Sequence, residues 1–171
     1  MKKLYLIGFM GCGKTSTSHY LSKKTGLTHV DIDELVEKNQ QKKIKSIFQE
    51  DGEAVFRQYE SETLMAINDA VIVSTGGGIV ERVENIQFMK ETGVLIYLKT
   101  SLEIIKQRIT NDGTRPLWNN SKDINSLYEK RTRLYEMNAD YIIDCDDMTI
   151  EEVGLRILEL STYKAVLKRE E

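Results

Sequence analysis

Short runs of apolar residues alternate along this chain with segments whose apolar residues recur at helical spacing. The runs are not interrupted by polar residues, which is typical of strands that are covered on both faces. One helical segment carries Ile150, Val153 and Ile157 on one face, behind a Thr149 and Glu152 capping box. This alternation predicts an α/β fold with three layers, α/β/α, around a central five-stranded parallel sheet. The predicted strands are Lys3–Ile7, His29–Val30, Val71–Val73, Val94–Leu98 and Tyr141–Ile143.

Two segments are longer than simple connections between such elements require. Residues 32–69 are expected to form several helices at the rim of the sheet. Residues 110–122 are polar and contain the only proline, and a loop of this length inside a compact domain is often a lid. The length of the chain favours one domain over 1–171, with the helical segment at about 32–69 and the lid at about 110–122 as its parts.

Composition and charge narrow the functional classes. Of the 171 residues, 40% are hydrophobic and 30% are charged, as in globular proteins, and the net charge is −3. Such a chain has no general attraction for nucleic acid or anionic lipid, so any anion site must be local. No apolar run approaches the roughly 18 residues of a membrane span, and the N-terminus shows no leader pattern. We expect a cytoplasmic protein that binds neither nucleic acid nor membrane, and its two cysteines predict no disulfide framework.

The candidate chemistry begins directly after the first predicted strand. Residues 8–15 read Gly-Phe-Met-Gly-Cys-Gly-Lys-Thr and match the phosphate-loop pattern G-x-x-x-x-G-K-[ST] at every fixed position. A strand, a glycine loop and a helix N-terminus together hold a polyphosphate, because backbone N–H groups converge on the anion. Lys14 would reach the β and γ phosphates, and the Thr15 hydroxyl suits Mg²⁺. The alternative is a chance glycine-rich turn.

Acidic residues and glycines follow the second and third predicted strands. Asp31 and Asp33 are two residues apart, so on an extended strand both would point toward a metal ion and a hydroxyl substrate. Alternatively, either of them only caps a helix that begins near Glu34. After the third strand, Gly76–Gly78 expose bare backbone to a close neighbour, or form a flexible turn. No acidic residue ends that strand, so Asp31 is the best candidate for holding magnesium.

Three arginines are candidates for binding an anionic group. Arg131 lies on an apolar helical stripe, so its guanidinium faces inward and needs an anion from the protein or from a ligand. Arg133 lies off that stripe and is expected to face solvent. Arg57 is one turn from Glu60 on a predicted helix, which taken alone indicates a surface ion pair. Arg115, in the polar loop, is either an ordinary exposed arginine or one that swings onto a transferring phosphoryl group.

Six motifs occur in one order, and together they resemble the shikimate kinase family. The resemblance runs from Leu4 to about Leu160 and implies a P-loop NTPase of the nucleoside monophosphate kinase type. It also implies transfer of the ATP γ-phosphoryl group, with one Mg²⁺, to the 3-hydroxyl of shikimate in aromatic amino acid biosynthesis. The motifs are the phosphate loop, Asp31-Ile32-Asp33, Phe56-Arg57-Gln58-Tyr59-Glu60, Gly76–Gly78, Arg115-Pro116-Leu117 and Arg131-Thr132-Arg133-Leu134-Tyr135.

The resemblance also implies roles for individual residues. Asp33 would bind the shikimate hydroxyls, Arg57 and Arg131 would clamp its carboxylate, and Arg115 would close with the lid. The residues implied for catalysis are Lys14, Asp33 and Arg115. Those implied for ATP are Gly11, Cys12, Gly13, Lys14, Thr15, Ser16, Arg108 and Arg115. Those implied for shikimate are Asp33, Arg57, Gly76, Gly77, Gly78 and Arg131. Those implied for the metal are Thr15 and Asp31.

Several other interpretations stay open at this point. Arg108 matches the position that stacks on adenine, but the acidic segment 144–148 lacks the proline often found in the family, which leaves the other base contacts undefined. Another small-molecule kinase, for gluconate or a nucleoside monophosphate, would use the same phosphate loop, and gluconate also combines hydroxyls with a carboxylate. A non-catalytic ATP-binding module would not need a second pocket of arginines. We expect a monomer.

Overall fold

The computed structural model describes residues 2–109 and 123–160, and these form one parallel sheet of five strands with helices on both faces. The strands are β1 (Lys3–Ile7), β2 (His29–Asp31), β3 (Ile72–Ser74), β4 (Gly93–Lys99) and β5 (Tyr141–Asp144). The helices are α1 (Lys14–Thr25), α2 (Ile32–Gln40), α3 (Ile44–Glu50), α4 (Glu53–Ala66), α5 (Val83–Thr92), α6 (Leu102–Ile109), α7 (Ile124–Asn138) and α8 (Ile150–Glu159). A short 3-10 helix, Ile79–Glu81, follows β3.

The strand order is β2-β3-β1-β4-β5, which places β1 at the centre of the sheet. Every neighbouring pair is parallel, so the predicted five-stranded parallel sheet is confirmed. Leu6 of β1 is in register with Ser74 of β3 and Ile96 of β4, so the segments after β1 and β3 leave the sheet side by side. Ligands bind at this carboxyl edge in open α/β sheets, next to the strand where the order reverses.

Two apolar cores lie on opposite faces of the sheet. Successive side chains of a strand point to opposite faces, so the residues of β1 divide between the two cores. Leu4 and Leu6 pack in the core under α1 and α8, whereas Tyr5 and Ile7 pack in the larger core under α2 to α7. The predicted three-layer α/β/α arrangement is therefore confirmed.

Two helix ends follow capping signals that are visible in the sequence. Gly26 follows α1 with φ +72°, a left-handed conformation that glycine adopts without a steric penalty. At the start of α8, the Thr149 hydroxyl accepts from the Glu152 backbone N–H at 3.2 Å, and the Glu152 carboxylate accepts from the Thr149 backbone N–H at 2.7 Å. The predicted capping box is confirmed.

The segment 32–69 forms α2, α3 and α4, as the sequence predicts. One local expectation is wrong, because β2 ends at Asp31 and α2 begins at Ile32. Asp33 therefore lies in the first turn of a helix, and the period of two that applies to strands does not relate it to Asp31. The N-cap geometry of Asp31 turns the chain from strand to helix at this point.

The predicted lid at 110–122, including Arg115, lies outside the described residues, and so does the segment 162–171. α6, which precedes the lid segment, ends at Ile109 beside Gly11, where a Cβ would be 3.0 Å from the Ile109 Cγ1 atom. Within 2–109 and 123–160, none of the helices combines the length and the apolar character that crossing a bilayer requires.

Candidate active site

The phosphate loop connects β1 to α1 at the carboxyl edge of the sheet. Gly8, Gly11 and Gly13 have φ values of +151°, +80° and +99°, which residues with side chains rarely adopt. α1 begins at Lys14, and no side chain of the described residues caps it, so the first N–H groups of the helix have no side-chain acceptor. These free donors and the positive end of the helix dipole make the loop suited to an anion.

Lys14 folds back over its own loop and is only 7% exposed. Its Nζ donates to the Gly8 carbonyl at 2.7 Å, to the Phe9 carbonyl at 3.1 Å and to Cys12 Sγ at 3.6 Å. A buried ammonium group needs acceptors of this kind. Since carbonyl oxygens and phosphate oxygens accept the same hydrogen bonds, a bound polyphosphate can replace them.

Thr15 and Asp31 meet beside the phosphate loop. The Thr15 hydroxyl donates to Asp31 Oδ2 at 2.6 Å, while Asp31 Oδ1 accepts from the backbone N–H groups of Asp33 and Glu34 at 2.9 and 3.3 Å. Asp31 therefore caps α2 and also faces the loop. A hydroxyl and a carboxylate are hard oxygen donors, which fit Mg²⁺ bound together with nucleotide phosphates. Among residues 2–109 and 123–160 no group of three or more His, Cys, Asp or Glu side chains could hold a metal ion, so phosphate and water would complete the coordination.

A cavity of about 470 Å³ extends from the phosphate loop to the residues that follow β2 and β3. Its volume is in the range of small-ligand sites, about 300–1,000 Å³. Residues from both sides of the sheet edge line it, so one ligand can contact the loop and the ends of several strands. The lining residues are Met10, Gly11, Gly13, Lys14, Thr15, Ser16, Asp31, Asp33, Thr75, Gly77, Arg108, Met148, Thr149 and Ile150.

Gly76–Gly78 lie where charged side chains from α2, α4 and α7 converge. A Cβ at the first glycine would lie 3.0 Å from Asp33 Oδ1 and would overlap the carboxylate of Glu60. A Cβ at the second would lie 3.3 Å from Arg131 Nη1, and one at the third would overlap the guanidinium of Arg57. None of the three has a positive φ. The glycines therefore leave room for the ends of these charged side chains, which favours the interpretation of a close neighbour over that of a flexible turn.

Arg57 is directed into the protein, although its spacing on α4 predicts a surface pair. Its side chain is 11% exposed, and it bonds to Glu60 Oε2 and Glu53 Oε1, both at 3.2 Å. Burial raises the pKa of the fully buried Glu60, and the charge of Arg57 offsets only part of that effect. Burial lowers the pKa of Arg57, but the two carboxylates outweigh it and raise that pKa. The pairing of Arg57 with Glu60 is confirmed, and its surface location is wrong.

Arg131 is 1% exposed, as its position on the apolar stripe predicts, and Arg133 is exposed. The Nε and Nη2 atoms of Arg131 donate to Glu81 Oε2 at 3.2 and 2.9 Å, and Lys130 Nζ donates to Glu81 Oε1 at 2.6 Å. Burial acts to raise the pKa of Glu81, but the hydrogen bonds and charges of Lys130 and Arg131 together lower it. A buried cation thus has an ionised counter-ion from the protein.

The remaining predicted nucleotide residues lie around the phosphate loop. Ser16 and Arg108 line the cavity, and Arg108 Nη1 donates to the Gly11 carbonyl at 3.4 Å. Cys12 is buried next to Lys14 and does not line the cavity. Arg57 and Arg131 do not line it either, since both guanidinium groups lie against the glycines at its end.

Two contributors to this region were not predicted from the sequence. Tyr135 lies on the buried face of α7, and its hydroxyl donates to the Gly77 carbonyl. The signal for this contact was available, because a buried tyrosine hydroxyl needs an acceptor. Glu81 had no such signal, since its pairing with Arg131 spans 50 positions.

The sheet order, the loop after its central strand and the adjoining charged cluster define a phosphate-loop kinase of the nucleoside monophosphate kinase type. A thymidylate kinase from Candida albicans shares this fold, with a TM-score of 0.61 and 16% identity, over 98% of this chain and 94% of that one. At that identity the likeness concerns the fold alone.

The family model for shikimate kinase matches residues 10–162. A shikimate kinase from Bacillus mycoides (strain KBAB4) is 41% identical over 157 residues, which are 90% of this chain and 94% of that protein. The structure of a shikimate kinase from Acinetobacter baumannii in complex with shikimate has a TM-score of 0.89 and 31% identity, over 96% of this chain and 94% of that one. The chain therefore belongs to the shikimate kinase family, and it is an ATP-dependent phosphotransferase that acts on an alcohol group.

Proposed function

We propose that the chain works as one kinase domain over 1–171 and transfers the ATP γ-phosphoryl group to the 3-hydroxyl of shikimate, giving shikimate 3-phosphate and ADP. The main support is the convergence of Asp33, Arg57 and Arg131 on Gly76–Gly78, at the end of the cavity that contains the phosphate loop. A ring acid with hydroxyls and one carboxylate is complementary to this set. A carboxylate side chain accepts from hydroxyls, and guanidinium groups bind a planar carboxylate through paired hydrogen bonds.

On the acceptor side, Arg57 and Arg131 bind the carboxylate of shikimate next to Gly78 and Gly77. Asp33 binds the hydroxyls, and Gly76–Gly78 contribute a surface without side chains, so the ring can approach the backbone. The segment 32–69 supplies Asp33 and Arg57, which gives it a role in substrate binding. The contacts to the carboxylate and the contacts to the hydroxyls thus lie along a run of only three glycines.

On the nucleotide side, the backbone of Gly11–Ser16, including Cys12 and Gly13, binds the phosphates. Lys14 exchanges its loop carbonyls for phosphate oxygens and stabilises the charge that develops on the transferred group. Arg108 stacks on adenine from the rim of the cavity. Arg115 approaches the γ-phosphoryl group when the segment 110–122 closes, which would exclude water and limit ATP hydrolysis.

One Mg²⁺ would be held by Thr15 and Asp31 together with the nucleotide, and when bound it neutralises phosphate charge. The support is the hydroxyl-carboxylate pair at 2.6 Å beside the phosphate loop.

During transfer, the alcohol oxygen forms a bond to the γ-phosphorus while the bond to the bridging oxygen of ADP breaks. Asp33 orients the alcohol and accepts its proton. A carboxylate is a much weaker base than the alkoxide that loss of the alcohol proton would leave, so orientation is the larger contribution of Asp33. We also propose a cytoplasmic monomer without nucleic-acid or membrane partners, which a net charge of −3 favours.

A coupled assay of ADP release tests the proposal directly. Purified protein with Mg²⁺ and ATP is given shikimate, gluconate, AMP or no acceptor. We expect rapid release with shikimate alone and only slow background hydrolysis in the other three arms. Faster ADP release with gluconate than with shikimate would show that the acceptor is an open-chain acid. A rate of ADP release that is the same with every acceptor and without one would indicate an ATP-binding module.

A further inference from the structure

Glu81 is attached to the glycine run through a short, internally bonded turn. It ends the 3-10 helix that follows Gly78, and its backbone N–H donates to the Gly78 carbonyl at 3.0 Å. The buried Asn85 holds the same turn, because its side-chain amide donates to the Ile79 carbonyl at 3.1 Å. The position of the Glu81 carboxylate is therefore coupled to that of the glycines.

The contact with Arg131 occupies only one edge of the guanidinium. Glu81 Oε2 accepts from Nε and Nη2, which form the side edge of the group. Nη1 belongs to the other edge and has no hydrogen-bond acceptor in the part of the chain that the structure describes. It lies against Gly77, where a Cβ would be 3.3 Å away, and Gly77 lines the cavity.

We infer that Glu81 is a positioning residue for the substrate carboxylate: it holds the side edge of Arg131 so that the Nη1 end faces the acceptor site. This rests on the proposed clamp function of Arg131. Glu81 touches no substrate in this account and acts only through the arginine. The guanidinium has five N–H donors in a fixed plane, so fixing one edge also fixes the direction of the other.

The charges around Glu81 favour positioning over competition with the substrate. A free carboxylate next to the clamp would repel the carboxylate of the substrate and would compete for the same donors. Here Glu81 Oε1 is bound to Lys130 at 2.6 Å, so the carboxylate has two cationic partners. The edge that it occupies differs from the edge at Gly77, so both carboxylates can bind Arg131 together.

The first experiment compares Glu81→Gln with Glu84→Gln, a matched control on an exposed carboxylate three residues further on. Gln keeps the shape of Glu81 but loses the charge that attracts both cations. We expect the KM for shikimate to rise about fivefold in Glu81→Gln, in the range for one ordinary hydrogen bond, with kcat and the KM for ATP nearly unchanged. Glu84→Gln should match wild type.

A double-mutant cycle then tests whether Glu81 acts through Arg131. In an Arg131→Met background, Glu81→Gln should have no further effect on the KM for shikimate, because the group that it positions is gone. Additive effects would overturn the inference. If the double variant does not fold, Glu81→Asp replaces it: the shorter carboxylate keeps the charge but not the reach, and a KM equal to that of wild type would equally overturn the inference.

The outcomes separate this inference from the proposed function. If wild type releases no ADP with shikimate, the proposed function fails whatever Glu81 does. If wild type is active and Glu81→Gln has an unchanged KM, the positioning role is wrong. A lower KM in that variant would also contradict it, since it would mean that Glu81 competes with the substrate for Arg131.

Discussion

The two sides of the site are built in different ways. The phosphate side, residues 8–16, is one continuous segment that offers backbone N–H groups, a helix end and one lysine that folds back over the loop. The acceptor side consists of Asp33, Gly76–Gly78, Arg57 and Arg131 with the counter-ions Glu60 and Glu81, and comes from four separate parts of the chain. A backbone site depends on local conformation, whereas a side-chain site depends on packing that places buried charges together.

This difference has an energetic consequence. Backbone donors in the phosphate loop are neutral and need no counter-ion, so the loop remains folded through its glycines and through α1. The arginines of the acceptor side are buried cations, and removing one partner of a buried ion pair costs about 3–5 kcal/mol. Glu60 and Glu81 are the partners that neutralise these buried arginines, and they also shape the binding site.

The largest effect that we predict comes from the phosphate side. Lys14→Met keeps the length of the side chain but removes the charge that stabilises the transferred phosphoryl group. We expect kcat to fall about 10³-fold, the upper range for one lost transition-state contact, with little change in shikimate binding. Steady-state kinetics and shikimate titration measure both quantities. Lys23→Met, on the exposed end of the same helix, is the control; similar losses in both would contradict the assignment.

The next largest effect is a fall in kcat on replacement of Asp33, which binds the acceptor hydroxyl next to the phosphate side. Asp33→Asn should lower kcat by about 10²-fold, because the amide can neither accept the alcohol proton nor orient the hydroxyl in the same way. The KM for ATP should stay close to wild type. Glu34→Gln, an exposed neighbour in the same helical turn, should have wild-type kinetics. A variant at Asp33 with wild-type kcat would remove it from the mechanism.

On the acceptor side alone, we expect a loss of binding and little loss of chemistry. Arg131→Met should raise the KM for shikimate about 30-fold, the cost of losing a charge-assisted hydrogen bond, and should leave ATP affinity close to normal. Calorimetric titration with shikimate and with ATP measures the two affinities separately. Arg133→Met is the exposed control on α7. Equal weakening of both ligands in Arg131→Met would show that the two sides are not independent.

The smallest effect concerns stability, and it has opposite signs for the two counter-ions. The pKa of Glu60 is raised in the folded protein above its ordinary value of 4.5. The stability that Glu60 contributes is therefore present below pH 4.5 and is lost as pH rises through the folded pKa. Glu60→Gln should therefore gain stability relative to wild type as pH rises above 4.5.

The pKa of Glu81 is lowered, so its contribution is present above 4.5 and lost as pH falls through the folded value. Glu81→Gln should therefore be less stable than wild type near neutral pH, with a difference that shrinks in acid. Urea unfolding of wild type and both variants between pH 3 and 8 measures the two slopes. Slopes of the same sign would contradict our account of the charges.

The conformation of the phosphate loop could be predicted from the sequence, because its pattern is contiguous and glycine has few substitutes at positive φ. The succession of five strands and the intervening helices along the chain, and the capping box of α8, also follow from local signals. The acceptor side could not be derived in this way. Arg57 and Glu60 have the spacing of a surface pair, and only packing under Gly76–Gly78 buries them. Their joint role came from the resemblance of ordered motifs to a family.

Two errors of detail have different physical causes. The spacing of two between Asp31 and Asp33 fits an extended strand. However, Asp31 accepts hydrogen bonds from the backbone N–H groups of Asp33 and Glu34, and this N-cap begins α2 at Ile32, one residue before Asp33. Glu81 was overlooked because its partner Arg131 lies 50 positions away. Local patterns do not predict contacts between distant elements, and such contacts determine where the charges of the acceptor side lie.

The central claim is that the acceptor side recognises a carboxylate through Arg57 and Arg131. The most direct test is equilibrium binding of shikimate and of its methyl ester, which has the same ring and hydroxyls without the negative charge. We predict that wild type binds the ester about 100-fold more weakly, because both arginines lose a charged partner while the ester carbonyl still accepts hydrogen bonds, and that ATP binding to the same preparation is unaffected. An ester that binds as tightly as shikimate would contradict the claim.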